Sequence, residues 1–216
     1  MGLDLIVESC AKPGHEAEWR SLLERSFKDE PSDKDTERFQ EISIPPYERI
    51  GAPRVGYDPA ADAWIINVRK GETPEEIETV LKDFHGYYVL RLVDSPGVPR
   101  YSHGELYEGV DDTSFRGAFL HDCEDVLSKA LIEEAWEHKL PEAAILYGQA
   151  LLAAADAAVA AGPLEKPPKQ GFLARLGLGR KRREPPPFDQ QLDIVRAAGQ
   201  WFVFWGERGH AIRAWG

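Results

Sequence analysis

One loop of this chain, with the sequence YSHGELY, carries the residues best suited to binding or proton-transfer chemistry. His103 and Glu105 could serve as a general acid–base pair, and Tyr101 and Tyr107 could pack against a ligand or hydrogen-bond to it. Loops held on a rigid scaffold often carry function. The pattern therefore predicts that the region 96–116 contains the binding site.

The end of this region adds two polar side chains. Two aspartates precede Thr113, which is typical of the start of a helix, and we predict a helix over residues 113–127. Ser114 and Arg116 would then lie at a helix N-terminus, where backbone N–H groups favour an anion. The predicted ligand-binding residues are Tyr101, His103, Glu105, Tyr107, Ser114 and Arg116.

A second group of chemically active side chains follows in the same predicted helix. His121 and Asp125 would lie one turn apart and could share a cation. The sequence contains no HExxH motif, no closely spaced cysteine pair and no EF-hand loop to complete a metal site. We therefore predict neither a metal nor a cofactor, and interpret the pair as a surface feature above Cys123, which lies on the apolar stripe.

Residues 162–188, GPLEKPPKQGFLARLGLGRKRREPPPF, differ in charge from the rest of the chain. They hold seven basic and two acidic residues, whereas the whole chain holds 26 basic and 37 acidic residues. Prolines near both ends cannot donate backbone hydrogen bonds. We predict a flexible basic linker inside a single α+β domain spanning 1–216. Its amphipathic part, 172–183, could contact an anionic surface through Phe172, Arg175, Arg180, Lys181, Arg182 and Arg183.

The elements that must position these residues follow from hydrophobic periodicity and turn signals. The fold class predicted is α+β, with one mixed β-sheet covered by helices. Strands are predicted near residues 3–10, 63–69, 87–93, 201–205 and 210–215. Helices are predicted near residues 15–27, 74–84, 113–127, 129–138, 141–161 and 189–198. The strand–helix–strand order over 63–93 favours a parallel crossover, and the final two strands would form a hairpin.

Composition restricts the function classes. The formal net charge of −11 argues against general nucleic-acid binding, which requires a cationic surface. We find no run of about 18 apolar residues that would cross a membrane. Two cysteines, Cys10 and Cys123, do not make a disulfide framework, so we predict a reduced, cytoplasmic protein.

Three functions remain open. The first is a non-catalytic binding or interaction module that uses the 96–116 region for a small ligand or a protein partner. The second is a small hydrolase-type or metal-dependent enzyme built on His103 with Glu105, or on His121 with Asp125. The third is an adaptor that reaches anionic surfaces through the 172–183 segment. The absence of any nucleophile or metal motif in the sequence favours the binding module.

The predicted linker gives a direct test of the domain organisation. Limited proteolysis should cut within residues 163–187, because flexible segments are the preferred sites of nicking. The two fragments should stay associated in gel filtration, because the segments before and after the linker are predicted to share one core. Early cleavage elsewhere, or separation of the fragments, would contradict a single domain.

Overall fold

The computed structural model describes residues 3–28, 31–93, 114–115, 117–162 and 185–216. Its main elements in chain order are β1 (Asp4–Val7), β2 (Cys10–Ala11), α1 (Glu16–Ser26), α2 (Asp33–Glu41), β3 (Ser43–Ile44), α3 (Pro46–Arg49), α4 (Pro59–Arg69), α5 (Pro74–Asp83), β4 (Ser114–Phe115), α6 (Lys129–Glu134), α7 (Pro141–Ala161), α8 (Phe188–Glu207) and β5 (Ile212–Trp215).

The fold class is α+β, as predicted, and the sheets are small and antiparallel. β1 is the central strand of a three-stranded sheet in the order β4-β1-β5, and β2 pairs with β3 separately. The register places Asp4 opposite Trp215 and Val7 opposite Ile212. Leu3, Leu5 and Val7 face the core, since side chains alternate along a strand. The last strand of the chain is therefore joined to the first by backbone hydrogen bonds.

Two long antiparallel helices, α7 and α8, form the largest packing contact. Gly148 of α7 and Gly199 of α8 lie so close that a Cβ atom on Gly148 would be 2.7 Å from the carbonyl oxygen of Gly199. Close approach lets the aromatic side chains of α8 fill the space between the helices and the sheet. Trp201, Trp205 and Phe202 are among the largest fully buried side chains, and the ring of Tyr147 meets Phe202 edge-on at 4.8 Å.

Two smaller clusters complete the buried regions of the described chain. One joins α1 to the turn before β5, with Trp19, Leu23 and Ala211 among its members. The other lies under α4 and α5 and includes Val55 and Ile65.

Several predicted elements are confirmed. The strand near 3–10 contains β1, and the strand near 210–215 contains β5. The helices near 15–27, 74–84 and 141–161 correspond to α1, α5 and α7. At the start of α5, Thr73 and Glu76 form the capping box that the sequence indicated, with each side chain accepting a backbone N–H of the other residue. Local capping and periodicity predicted these elements because packing reinforces both signals.

The strand predicted near 63–69 is wrong, because this segment belongs to helix α4. Asp58 accepts a hydrogen bond from the N–H of Ala60, and Pro59 occupies the first helical position. Ala61 and Ile65, four residues apart, are fully buried. Ile and Val favour strands only weakly, and here the N-terminal cap and the helical spacing of the buried residues outweigh that preference.

The strand predicted near 87–93 is also wrong. Tyr88 forms only an isolated bridge with Arg54, and Leu90–Leu92 is a 3₁₀ turn. The parallel crossover is therefore absent from residues 59–93. Leu90 is nevertheless fully buried, so the apolar run correctly indicated burial without indicating a strand.

The predicted hairpin near 201–215 is wrong in its first half. Residues 201–205 lie inside α8, so the helix predicted near 189–198 runs nine residues further, to Glu207. The segment WFVFW is apolar on nearly all sides, and periodicity cannot separate a short buried strand from a buried helix. Gly209, at φ +81°, then turns the chain into β5.

The helix predicted near 113–127 is replaced by β4 and a 3₁₀ helix, Gly117–Asp122. Gly117 lies against β1, where a Cβ atom would be 2.7 Å from Leu3, so tight packing on the sheet displaces the α-helix. The helix near 129–138 is shortened to α6 because the next residues turn and Lys139 pairs with Ile212. The single domain over 1–216 and the linker over 162–188 remain predictions.

Helix α7 is the one helix of the described residues that is long and apolar enough to span a bilayer. It carries Glu142, Gln149 and Asp156. One of its faces packs against α8, and Asp156 lies 3.7 Å from Arg196 of α8. These contacts fit the packing helix of an α+β fold.

The contact between Gly148 and Gly199 predicts a large cost for one added methyl group. In Gly199→Ala, the new Cβ would lie 2.8 Å from Leu152 Cγ and 2.9 Å from the carbonyl oxygen of Gly148. We expect a loss of about 1–3 kcal/mol in the free energy of unfolding, after the gain in helix propensity.

Urea denaturation measures this loss. Ala157→Leu, on the exposed face of α7, is the control and should change stability by less than about 0.5 kcal/mol. Wild-type stability in Gly199→Ala would show that the two helices do not rely on this close approach.

Candidate functional site

Most of the predicted ligand-binding residues lie outside the described residues: Tyr101, His103, Glu105, Tyr107 and Arg116. The same holds for the predicted anionic-surface residues Phe172, Arg175, Arg180, Lys181, Arg182 and Arg183. Ser114 is in strand β4, opposite Ile6. It does not begin an α-helix, so that part of the anion-site prediction is wrong. The roles assigned to the other residues remain predictions.

His121 and Asp125 each have a structural partner. His121 lies in the 3₁₀ helix, and its Nε2 accepts a hydrogen bond of 2.8 Å from the indole N–H of Trp136. Asp125 lies beyond that helix, and its Oδ2 accepts a hydrogen bond from the buried amide of Gln191 at 2.9 Å. The expected spacing of one α-helical turn is therefore wrong. No cluster of three or more potential metal ligands occurs in the ranges that the structure describes.

A groove formed by five elements is the strongest candidate site in the described chain. It lies among β2, the N-terminal ends of α1 and α7, the β3–α3 segment and the C-terminal end of α8, and its volume is about 560 Å³. Small-molecule sites in proteins usually range from roughly 300 to 1,000 Å³. Its lining includes Cys10, Ala11, Glu16, Ala17, Trp19, Arg20, Ile44, Arg49, Glu142, Glu207, Arg208 and Gly209.

The apolar wall of the groove is held in place by the surrounding fold. Trp19 is buried, and its indole N–H donates to the carbonyl oxygen of Ser9 at 3.1 Å. Cys10 and Ile44 are opposite each other in the β2–β3 ladder. Because hydrogen bonds and strand pairing fix these residues, this wall is formed before any ligand binds.

Several charged side chains of the groove already have ion-pair or hydrogen-bond partners within the protein. Arg20 donates to Glu24 at 3.2 Å and to Glu142 at 3.0 Å, which links α1 to α7. Glu16 accepts hydrogen bonds from its own N–H and from the N–H of Gly14, and these two contacts lower the pKa of its carboxyl group. These side chains stabilise the packing of the fold and also line the rim of the groove.

The other two arginines of the groove have no ion pair with any carboxylate among the described residues. Arg208 lies with its guanidinium carbon 3.6 Å from the centre of the Phe204 ring, and its Nη1 donates to the carbonyl oxygen of Phe204 at 2.9 Å. Burial lowers the pKa of Arg208; Glu207 opposes this effect and the nearby charge of Arg49 adds to it. The groove thus contains two neighbouring guanidinium groups of like charge.

The thiol in the groove is poorly suited to nucleophilic chemistry. Cys10 is 4% exposed, and burial raises its pKa, although the charge of Arg49 opposes this shift. A protonated, buried thiol is a weak nucleophile. The arrangement favours binding over covalent catalysis.

A buried histidine lies behind the groove, next to Gly209. His210 is fully buried, and its Nδ1 lies 2.7 Å from the carbonyl oxygen of Glu8. A carbonyl can only accept, so Nδ1 carries the proton and Nε2 presents a lone pair, which has no hydrogen-bond partner in the described residues. Its ring contacts Trp205 edge-on at 5.2 Å.

A second surface of interest surrounds Arg54. Its Nε donates to the carbonyl oxygen of Gly86 at 2.8 Å, and its guanidinium lies 4.8 Å from the ring of Tyr57 and 5.0 Å from that of Tyr88. Tyr57 is 65% exposed. Exposed tyrosines beside an arginine are typical of protein interfaces.

Sequence reasoning missed the groove because its residues come from distant segments. No local motif joins Arg49 to Arg208, which are brought together by packing alone. Residues 206–209 (GERG) lie between the two strands predicted as a hairpin, but in the structure they end α8 and turn the chain toward β5.

Comparison with known proteins does not add a relative. No family model, curated protein or solved structure matches this chain.

The buried histidine predicts that acid destabilises the fold. Burial lowers the pKa of His210 from its ordinary 6.5 to about 4, and Arg49 and Arg208 add to this shift while the hydrogen bond to Glu8 opposes it. Between these pH values the unfolded chain binds the proton more readily. The contribution of neutral His210 to the free energy of unfolding is therefore complete above pH 6.5 and falls as the pH drops toward 4. The total loss is up to about 3 kcal/mol.

Urea denaturation of wild type and of His210→Asn from pH 7.5 to 4.5 measures this contribution. Asn can still donate to the carbonyl oxygen of Glu8, but it does not titrate. The variant should therefore lose the part of the pH dependence that His210 contributes. Gln149→Asn, an exposed substitution that changes no titratable group, should keep the wild-type slope. Equal slopes in all three proteins would refute the assignment to His210.

Proposed function

We propose that this protein is a non-catalytic binding module that holds a small ligand in the groove beside Arg49 and Arg208. The observation that carries the proposal is a preformed groove of about 560 Å³ with an apolar wall and charged groups on its rim. Ligand sites typically combine such an apolar lining with a few oriented polar groups.

Binding without turnover is favoured by the chemistry of the groove. The Cys10 thiol is buried and its pKa is raised. His210 is fully buried, and its pKa is lowered to about 4. Neither group is matched to proton transfer near neutral pH, because an efficient general acid or base has a pKa close to the working pH.

The 96–116 region remains part of the proposal as a second binding element. Its support is the composition of the YSHGELY loop described in the sequence. The hydrolase built on His103 and Glu105 and the anionic-surface adaptor built on 172–183 are the alternatives. A cytoplasmic location is also proposed; the two free, buried cysteines, Cys10 and Cys123, are compatible with a reducing compartment.

A bulky side chain in the groove tests the proposal. Ala17 lines the groove and is exposed on α1, so Ala17→Trp should fill the site without disturbing the core. We expect small molecules found by ligand-observed NMR screening to bind this variant at least ten-fold more weakly than wild type, because the indole occupies their volume.

Ala157→Trp introduces the same side chain on an exposed position of α7 outside the groove and serves as the matched control. In wild type, the amide resonances of Ala11 and Gly209 should shift on binding. The proposal fails if the bound molecules are retained by Ala17→Trp, or if the shifts occur elsewhere.

A further inference from the structure

We infer that the groove recognises an organic anion, a molecule with a carboxylate or phosphate group that is bound between Arg49 and Arg208. This inference deepens the proposed function and rests on it. It names the class of ligand, and the residues that would select that class.

The first argument is the balance of charge inside the groove. Three arginines and three glutamates line it. Arg20 and Glu142 neutralise each other, and Glu16 is held by backbone N–H groups. Glu16 and Glu207 stay negatively charged, so the formal charges of the groove balance. Arg49 and Arg208 are nevertheless its two guanidinium groups without an ion pair to a carboxylate of the described residues.

The second argument is that Arg49 and Arg208 line the same groove and neither forms an ion pair with a carboxylate of the described residues. Arg49 is exposed, and its charge is near enough to lower the pKa of Arg208. Repulsion between the two guanidinium groups is relieved when an anion binds to both. Guanidinium groups match carboxylate and phosphate oxygens in geometry as well as charge.

The third argument is preorganisation. The guanidinium of Arg208 is held against the ring of Phe204 and hydrogen-bonded to the Phe204 carbonyl oxygen at 2.9 Å. That bond uses one N–H of Nη1, and the remaining N–H groups can donate to a ligand. A side chain that is already ordered loses less conformational entropy on binding, which strengthens the contact.

The fourth argument concerns the rest of the ligand. A free phosphate or acetate would fill only a small part of about 560 Å³. Trp19 and Ile44 provide an apolar wall in the same groove. An anion with an attached apolar or aromatic group would use both features. Glu207, beside Arg208, would select against a second negative charge nearby.

Three matched probes test this inference. Benzoate and phenyl phosphate carry the two anionic groups on the same ring, and benzamide is the uncharged counterpart of benzoate. Titration of wild type followed by ¹H–¹⁵N NMR should shift Ala11, Ala17 and Gly209. We expect at least one of the two anions to bind ten-fold or more tightly than benzamide. Tighter binding of benzoate indicates a carboxylate ligand, and tighter binding of phenyl phosphate indicates a phosphate ligand.

Charge-neutralising variants assign the effect to residues. Arg49→Gln, at an exposed position, and Arg208→Gln should each weaken the preferred anion at least ten-fold and leave benzamide unchanged. Arg196→Gln is the control, because Arg196 lies outside the groove near Asp156. Arg208 packs on Phe204, so Arg208→Gln could be unstable. In that case Arg49→Gln alone carries the test.

The outcomes separate the two proposals. If benzamide and both anions bind equally, or if Arg49→Gln leaves anion affinity unchanged, the anion inference is overturned while a small-ligand groove stands. If no probe shifts groove resonances, or if Ala17→Trp does not reduce binding, both the anion inference and the proposed function fail.

Discussion

The antiparallel ladder between the first and last strands is the constraint on which the rest of the structure depends. Four residue pairs join β1 to β5, and the N–H of Glu8 extends the ladder by donating to Ala211 at 2.9 Å. The side chains of Glu8 and Arg213 form a partly buried ion pair across the same strands. Because this register is fixed, the turn between α8 and β5 must lie beside β2. The buried imidazole of His210 and the rim residue Arg208 take their places from that register.

The groove is a consequence of how the helices meet this ladder. Gly206 lies against the start of α7, where a Cβ atom would be 2.8 Å from the carbonyl oxygen of Pro141. The C-terminal end of α8 and the N-terminal end of α7 are therefore held together, and α1 is tied to α7 by Arg20 and Glu142. What remains open between these ends is the groove. Its shape is set by the close backbone approach at Gly206 and by the side-chain contact of Arg20 with Glu142, both made within the protein without a ligand.

The fold was predictable where local and tertiary signals agree, and the site was not. The capping box before α5 and the apolar alternation of β1 each indicate one conformation, and packing reinforces both. Residues 201–205 could be a strand or a buried helix, because a short apolar segment has no period that separates the two. The contact with α7 that decides for the helix is made by Gly199, and it lies outside the local pattern. Arg49 and Arg208 illustrate the same limit for the site, since only tertiary packing makes them neighbours.

The acidity of the chain and the two arginines of the groove that lack an ion pair have opposite effects on an anion. A net charge of −11 repels anions at distances beyond contact, so the protein as a whole would not steer such a ligand toward the site. Attraction must come from short-range contacts with Arg49 and Arg208. Salt screens charge interactions over about 8 Å at physiological ionic strength. It therefore weakens the long-range repulsion strongly and the close contacts less. Contact with the apolar wall of Trp19 and Ile44 would then add affinity that a small anion without an apolar group does not gain.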